Sequence, residues 1–213
     1  MLRTAFPICA ALFFSSILGS AQTWEIGAMG GYGWYQNPSI TNPIQSGQAG
    51  FPSRPAVGVV FGDNAYNYVG GEIRWLFRFG GPQVTSNGIR EAAAGYTNAV
   101  TYEFLFHATP RESKVRPFVA AGAGIKAYTN TFRDFNQQVG SLAILGGETA
   151  VEPAISVGAG VKYVLPKHVQ LRLDFHTIMT PLPTGLIRPL GAQTRVHGWV
   201  YDFLPLLEVG YVF

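Results

Sequence analysis

The feature that most constrains the fold is a strict alternation of apolar and charged side chains over whole segments. In residues 68–79, YVGGEIRWLFRF, the odd positions hold apolar or aromatic residues and glycine, whereas Glu72, Arg74 and Arg78 all fall on even positions. Successive side chains of a β-strand point to opposite faces. A slip of one residue would therefore turn every charge to the apolar side. The pattern predicts a strand with one apolar face and one face that accepts charge.

The same alternation recurs along the rest of the chain. The predicted strands are 23–35, 56–61, 68–79, 96–107, 115–128, 154–164, 169–176 and 199–213. The connections between them are alternately long and short, which is typical of up-and-down membrane barrels with long loops at one end and short turns at the other. The sequence therefore predicts an all-β fold, an eight-stranded antiparallel up-and-down transmembrane β-barrel.

The composition indicates that something apolar surrounds part of the molecule. Charged residues make up 13% of the chain, compared with about 25% in an ordinary soluble domain. No segment approaches the run of about 20 apolar residues that a membrane-spanning helix needs, so a place in a membrane requires a closed barrel. The net charge of +3 is small and spread along the chain, which argues against a nucleic-acid partner.

The N-terminus has the three parts of a secretory signal peptide. A positive start at Met1-Leu2-Arg3 precedes an apolar run over 5–18 and a small-residue cleavage site at Gly19-Ser20-Ala21. We therefore predict a signal peptide over 1–21 and a barrel over 22–213. Cys9 lies in the first of these segments, so the mature chain has no thiol for a disulfide or a metal.

The last predicted strand, 199–213, ends on an aromatic residue after alternating apolar positions. It resembles the closing strand of bacterial outer-membrane barrels, which implies that the row Leu207, Val209, Tyr211 and Phe213 is read by the barrel assembly machinery. The glycine-rich segments RPFVAAGAGIKAY, AISVGAGVKYV and LEVGYVF extend the resemblance over the mature chain, to the small eight-stranded barrels of the OmpA transmembrane-domain and OmpX type. This resemblance implies an outer-membrane location and outer-membrane lipid as a partner.

The inward rows of the predicted strands carry equal numbers of acids and bases. These residues are Glu25, Glu72, Glu103, Asp174, Asp202 and Glu208, and Arg74, Arg78, Arg116, Lys126, Lys162 and Arg172. An eight-stranded barrel is just wide enough to be filled by side chains, and buried charges need partners. We therefore predict an ion network that plugs the lumen. The alternative is a narrow channel for ions or small solutes lined by the same residues.

Two histidines on the inward rows raise the question of catalysis. Some barrels of this size are lipid A-modifying enzymes, and the deacylase type carries a His and a Ser close together on a late strand. Here Phe175-His176-Thr177-Ile178 has no serine two residues after the histidine. We expect His107 and His176 to be structural, hydrogen-bonded residues at strand ends, and a lipid A-modifying enzyme is the less favoured alternative. No cofactor is expected, and no cysteine or His/carboxylate spacing predicts a metal.

The long connections are polar and rich in Gly, Pro and Asn; residues 36–55 contain Arg54 as their one ionisable group. Loops on a rigid scaffold commonly bind partners, but such segments are equally typical of solvated coverings. The predicted function is an integral outer-membrane barrel with a structural or surface-interaction role. An unknown extracellular ligand at the loops belongs to the surface-interaction alternative, and the sequence names no such ligand.

Overall fold

The computed structural model describes residues 24–64, 66–131 and 136–213. The predicted signal peptide, 1–21, lies outside the described residues. Within the described ranges the chain is built from strands, with a 3-10 turn at Pro166–His168. Over these same ranges, no helix is long and apolar enough to cross a membrane.

The strands fall into a barrel set and a set of short strands in the connections. In chain order they are β1 (Trp24–Gln36), β2 (Ser39–Thr41), β3 (Ser46–Gly50), β4 (Arg54–Asp63), β5 (Val69–Phe79), β6 (Gln83–Ser86), β7 (Ile89–Ala92), β8 (Gly95–His107), β9 (Val115–Asn130), β10 (Asn136–Val139), β11 (Ala143–Gly146), β12 (Thr149–Val164), β13 (Val169–Thr180), β14 (Ile187–Pro189), β15 (Arg195–His197) and β16 (Val200–Val212).

Eight of these strands close an antiparallel barrel in the order β1-β16-β13-β12-β9-β8-β5-β4. This confirms the predicted architecture. Every predicted barrel strand is present, and several extend further than the sequence pattern indicated. The largest extension is in β12, which begins at Thr149 rather than 154 because its first residues pair with Thr129 and Tyr128 of β9.

The faces of the barrel strands are those that the alternation predicted. Burial alternates residue by residue along β5, β8 and β13. Apolar side chains at the outward positions are exposed; Leu173, for example, is 63% exposed. Glycine on an inward row makes room for a larger neighbour, since a Cβ on Gly158 would lie within 2.5–2.7 Å of the His176 ring atoms.

Aromatic rings collect on the outer surface near both ends of the barrel. At the end that carries residues 24 and 213, Trp24 stacks on Phe61 with ring centroids 5.1 Å apart. Near the opposite end Trp34 stacks on Phe203 at 5.7 Å. An apolar band between two aromatic girdles is the outer surface expected of a barrel in a bilayer.

The long connections, which by their composition could be either binding loops or solvated coverings, contain regular structure. They form a five-stranded sheet, β15-β2-β3-β6-β7, and a three-stranded sheet, β10-β11-β14. These sheets enclose a buried apolar core with the adjoining barrel end, formed by Ile40, Ala49, Phe51, Val84, Tyr128, Val139, Leu142, Ala143, Leu145, Leu182, Leu186, Ile187 and Val200. We call the described parts of these connections (37–53, 80–94, 131 with 136–148, and 181–199) the cap, and the barrel end beneath them the capped mouth.

The opposite end of the barrel carries the short connections 108–114 and 165–168 and the described part of 64–68. Trp24 and Phe213 lie there and exchange backbone hydrogen bonds of 3.1 and 2.9 Å. We call this end the terminal mouth.

Candidate functional site in the barrel lumen

The structure places all the predicted lumen charges inside the barrel, each at most 4% exposed. They do not form one uniform network. They divide into a terminal-side cluster, a central cluster and a capped-side cluster along the barrel axis. Most of their contacts join strands that are not neighbours in the sheet.

The central cluster is built around Glu72. Its carboxylate accepts hydrogen bonds from Arg172, at 2.6 and 3.0 Å, and from Arg74, at 2.7 Å. Arg74 also contacts Asp174 at 3.1 Å, and the Arg172 Nε lies 2.9 Å from the same carboxylate. His176 completes the cluster, because its Nε2 lies 2.7 Å from Oε2 of Glu103. Each charge in this group has a partner of opposite sign.

The capped-side cluster is centred on Asp202. Its carboxylate pairs with Arg78 and, at 2.5 Å, with Nζ of Lys126. The ring of Tyr35 lies beneath both cations, 4.2 Å from the Arg78 guanidinium carbon and 4.8 Å from Lys126 Nζ. Arg78 also donates to the backbone carbonyl of Gly33. One carboxylate and one ring thus hold two cations just below the cap.

The terminal-side cluster is centred on Glu25. Lys162 Nζ lies 2.5 Å from its Oε1, and the amides of Asn64 and Gln170 donate to its Oε2 at 2.8 and 3.3 Å. The Arg172 Nη1 lies 4.0 Å from Oε1 and connects this cluster to the central one.

Two predicted network members are paired less well than the others. Glu208 lies 3.7 Å from the Arg172 Nε, and neither of its carboxylate oxygens has a hydrogen-bond partner among the described residues. Arg116 has no carboxylate oxygen within 4.0 Å in the described part of the chain, and it donates only to neutral oxygens. The lumen therefore contains equal numbers of the predicted acidic and basic residues, but not all of them form ion pairs.

An apolar layer separates the central cluster from the capped-side cluster. It is formed by Met29, Ala56, Val60, Leu76, Ala99, Ala154, Ile178, Leu204 and Leu206. Between this layer and the capped-side cluster lies a void of about 10 Å³, and one buried water needs roughly 10–15 Å³. Side chains thus leave room for at most a single water at this level of the lumen.

The histidines differ from the sequence prediction in one respect each. His176 is not at a strand end, because β13 continues to Thr180, and its contact with the Glu103 carboxylate makes it a member of the central cluster. His107 packs on the ring of Phe118, with centroids 5.9 Å apart, and neither of its ring nitrogens has a hydrogen-bond partner in the described ranges. The alternation in the sequence correctly placed both histidines on the inward face of their strands. It could not indicate which residues they contact.

Three side chains of the central cluster are close enough to meet at one cation. Ligand atoms of Glu72, Glu103 and His176 lie within 4.8 Å of one another, and all three are buried. However, Glu72 already accepts from the guanidinium groups of Arg74 and Arg172, which occupy the positions that a metal ion would need. We assign no metal to this cluster.

The row Leu207, Val209, Tyr211 and Phe213 lies on the outer face of the barrel and is exposed. Its strand, β16, closes the barrel by pairing with β1 on one side and β13 on the other. The assembly role of this row stays a prediction.

The closed barrel, the apolar band and the aromatic girdles define the class: this is a membrane-spanning β-barrel protein. No protein-family model matches the sequence, and no curated protein matches it. Solved structures match the fold. Neisserial surface protein A does so with a TM-score of 0.52 at 11% identity, over 89% of this chain and 97% of that one.

Two further solved structures share the fold. The outer membrane protein AlkL, determined in lipid bilayers, has a TM-score of 0.55 at 14% identity over 92% of both chains. The outer membrane protease OmpT from Escherichia coli has a TM-score of 0.51 at 6% identity, over 90% of this chain and 97% of that one. At such identities the likeness shows the fold alone. Together with the lipid-facing surface, that fold makes the chain an integral outer-membrane β-barrel.

Proposed function

We propose that this protein is a non-enzymatic outer-membrane barrel with a plugged lumen, which supports the envelope or presents its cap for interactions at the cell surface. In this proposal the cap is extracellular and the terminal mouth faces the periplasm, as in barrels with long outer loops and short inner turns. The observation that carries the proposal is the pair between Arg172 and Glu72, which crosses the lumen at 2.6 Å.

The alternative of a narrow channel has less support. A permeating ion would have to pass the central cluster and then the apolar layer that includes Leu76 and Leu204. It would next meet Asp202 with its two cations and finally the core of the cap. An apolar constriction resists wetting and opposes ion passage. Four successive barriers favour a plug.

Conductance across planar bilayers tests the plug. We expect refolded wild-type protein to give no steady open current under conditions in which a general porin, as the control, gives one. Steady open currents from the wild-type protein would refute the plug and favour the channel.

The cap supports an interaction role because its connections form sheets with a buried core and so hold a fixed surface. The interaction role can be separated from envelope support by expressing either the wild-type protein or a variant with a shortened cap in a strain that lacks the protein. If the barrel itself supports the envelope, a variant shortened at 42–45 should restore resistance to detergents as well as the wild type does. If it restores resistance but not surface attachment, the cap carries the interaction.

The similarity to an outer membrane protease does not extend beyond the fold. We propose no enzymatic activity, because His176 is buried and is held by Glu103 inside the barrel, away from lipid and solvent. A His176→Ala variant that assembles normally but abolishes a lipid A modification in cells would overturn this part of the proposal.

A further inference from the structure

Arg116 is the predicted lumen base that has no carboxylate oxygen within 4.0 Å in the described part of the chain. It is 3% exposed, and its two terminal nitrogens donate to the Asn64 side-chain oxygen and the Asn67 carbonyl, both at 3.3 Å. Its Nε has no hydrogen-bond partner among the described residues. Arg74, Arg78, Lys126, Lys162 and Arg172 each have a carboxylate within 4.0 Å. A buried guanidinium with only neutral, long contacts retains capacity to bind an anion.

Arg116 lines a cavity of about 230 Å³ at the terminal mouth. Three more basic side chains line the same cavity: Arg111 from the connection between β8 and β9, and Lys167 and His168 from the connection between β12 and β13. Asn64 and Gln170 add amide groups. The lining therefore combines several cationic groups and neutral hydrogen-bond donors around one space.

Two acids close to this cavity are already engaged or directed to solvent. Glu25 pairs with Lys162 at 2.5 Å and accepts from the Asn64 and Gln170 amides. Glu112 lies 3.9 Å from the Arg111 Nε, but its side chain is 71% exposed. The described lining of the cavity contains Arg116, Arg111 and Lys167 and no acidic side chain, which favours an anionic ligand.

The turn that supplies two of the basic groups has an unusual backbone. Lys167 and His168 both have left-handed conformations, with φ of 66° and 65°. For residues other than glycine this conformation is unfavourable, because the Cβ lies too close to the following carbonyl oxygen. The turn keeps the Lys167 ammonium group and the His168 ring at the cavity rim, where a Gly or Asn would satisfy the backbone better.

We propose that this cavity at the terminal mouth is an oxyanion-binding site, and that it takes a phosphate group, with Arg116 as the principal ligand and Arg111 and Lys167 as rim contacts. A guanidinium binds phosphate through two parallel hydrogen bonds, and an ammonium adds a point charge. The phosphate group comes either from a free phosphate compound or from a lipid headgroup at the membrane boundary. The site needs neither an open lumen nor the cap, so it is independent of the proposed function.

The test is a calorimetric titration of protein refolded in uncharged detergent. One arm uses inorganic phosphate, and the other uses a short-chain phosphatidylglycerol mixed into the same micelles. We expect Arg116→Gln to weaken binding about 10- to 100-fold, which corresponds to the loss of charged hydrogen bonds. Arg54→Gln, which removes an exposed arginine at the other end of the barrel, is the matched control and should bind as the wild type does.

Variants at the rim keep the test decisive if Arg116→Gln does not fold, as judged by heat-dependent gel mobility. Arg111→Gln and Lys167→Asn remove charge from connections outside the sheet, and Asn tolerates the left-handed backbone. Each should weaken binding. Binding in the lipid arm alone assigns the site to a headgroup, and binding in both arms assigns it to the phosphate group itself. No binding by the wild type in either arm, or equal weakening by Arg54→Gln and the cavity variants, would overturn the proposal.

Discussion

Arg172 and Glu72 form a two-point ion pair across the full width of the barrel, with Nη1 to Oε2 at 2.6 Å and Nη2 to Oε1 at 3.0 Å. Their strands, β13 and β5, lie opposite each other, with three strands between them on either side. Arg74 and Asp174 connect the same two strands at 3.1 Å. The lumen thus joins walls of the barrel that share no backbone hydrogen bonds.

Removing the charge of Glu72 should therefore destabilise the barrel strongly. A Glu72→Gln variant leaves Arg172 and Arg74 buried with less compensation, and breaking one partner of a buried pair costs about 3–5 kcal/mol. We expect a loss of this size in the free energy of unfolding, measured by urea titration in lipid vesicles. Glu112→Gln, which removes an acid at an exposed turn, is the control and should change stability little. Equal stability of the two variants would mean that the pair contributes nothing to the fold.

The lipid-facing band predicts a contrast between two equally exposed apolar residues. Leu173 on the barrel wall is 63% exposed, and Ile89 in the cap is 65% exposed. Arginine facing lipid at the bilayer centre costs about 2–4 kcal/mol, whereas a surface change in water usually costs less than about 0.5 kcal/mol. Leu173→Arg should therefore lower the unfolding free energy in vesicles, and Ile89→Arg should not. A similar cost for both variants would contradict a membrane band at Leu173.

The barrel could be predicted from the sequence because apolar and charged residues alternate along its strands. A shift of one residue in the register would place charged side chains in lipid, which is energetically costly. In β5 every charge lies on one face, so a slip of one residue would expose Arg74 to lipid. The same logic assigned Lys162, Asp174 and Glu208 to the lumen. The pattern defines the face of each residue but not its partner. That is why it indicated balanced pairing and did not indicate that Arg116 has no carboxylate oxygen within 4.0 Å among the residues that the structure describes.

The cap could not be predicted because its order comes from contacts between different connections. The strand β2, for example, pairs with β15, and Thr41 lies opposite Arg195 far along the chain. Strands of three to five residues interrupted by Gly and Pro leave too little periodicity to detect. His176 was similarly difficult, because its pairing with Glu103 depends on β8 and β13 facing each other across the lumen.

The proposed assembly role of the last strand predicts an effect in cells that is absent in purified protein. Phe213 is exposed on the outer face and contacts the ring of Tyr211, with centroids 6.5 Å apart. Phe213→Ala should therefore refold in detergent nearly as well as the wild type, yet reach the outer membrane in reduced amounts. Phe79→Ala, which alters another exposed ring at the opposite end, is the control. Equal outer-membrane levels for the two variants would argue against a signal at Phe213.

The cap should lose its order separately from the barrel, because the apolar core beneath the cap and the apolar layer of the lumen are separate clusters. Leu142 is fully buried among Ile40, Val84 and other cap residues, and a Leu→Ala change at such a site costs about 2–5 kcal/mol. We expect Leu142→Ala to make the cap cleavable by added protease on intact cells or proteoliposomes. The heat-dependent gel mobility of the barrel should persist, since the ion clusters and the apolar layer of the lumen do not involve Leu142.

The matched control for this experiment is Ile44→Ala, which removes an apolar side chain that is 84% exposed on the cap surface. It should leave the protease pattern of the wild type unchanged, because no buried contact is lost. Loss of heat-dependent mobility in Leu142→Ala would show instead that the barrel depends on the cap for its stability. The two parts of the molecule would then unfold as one cooperative unit, and the cap would act as part of the plug.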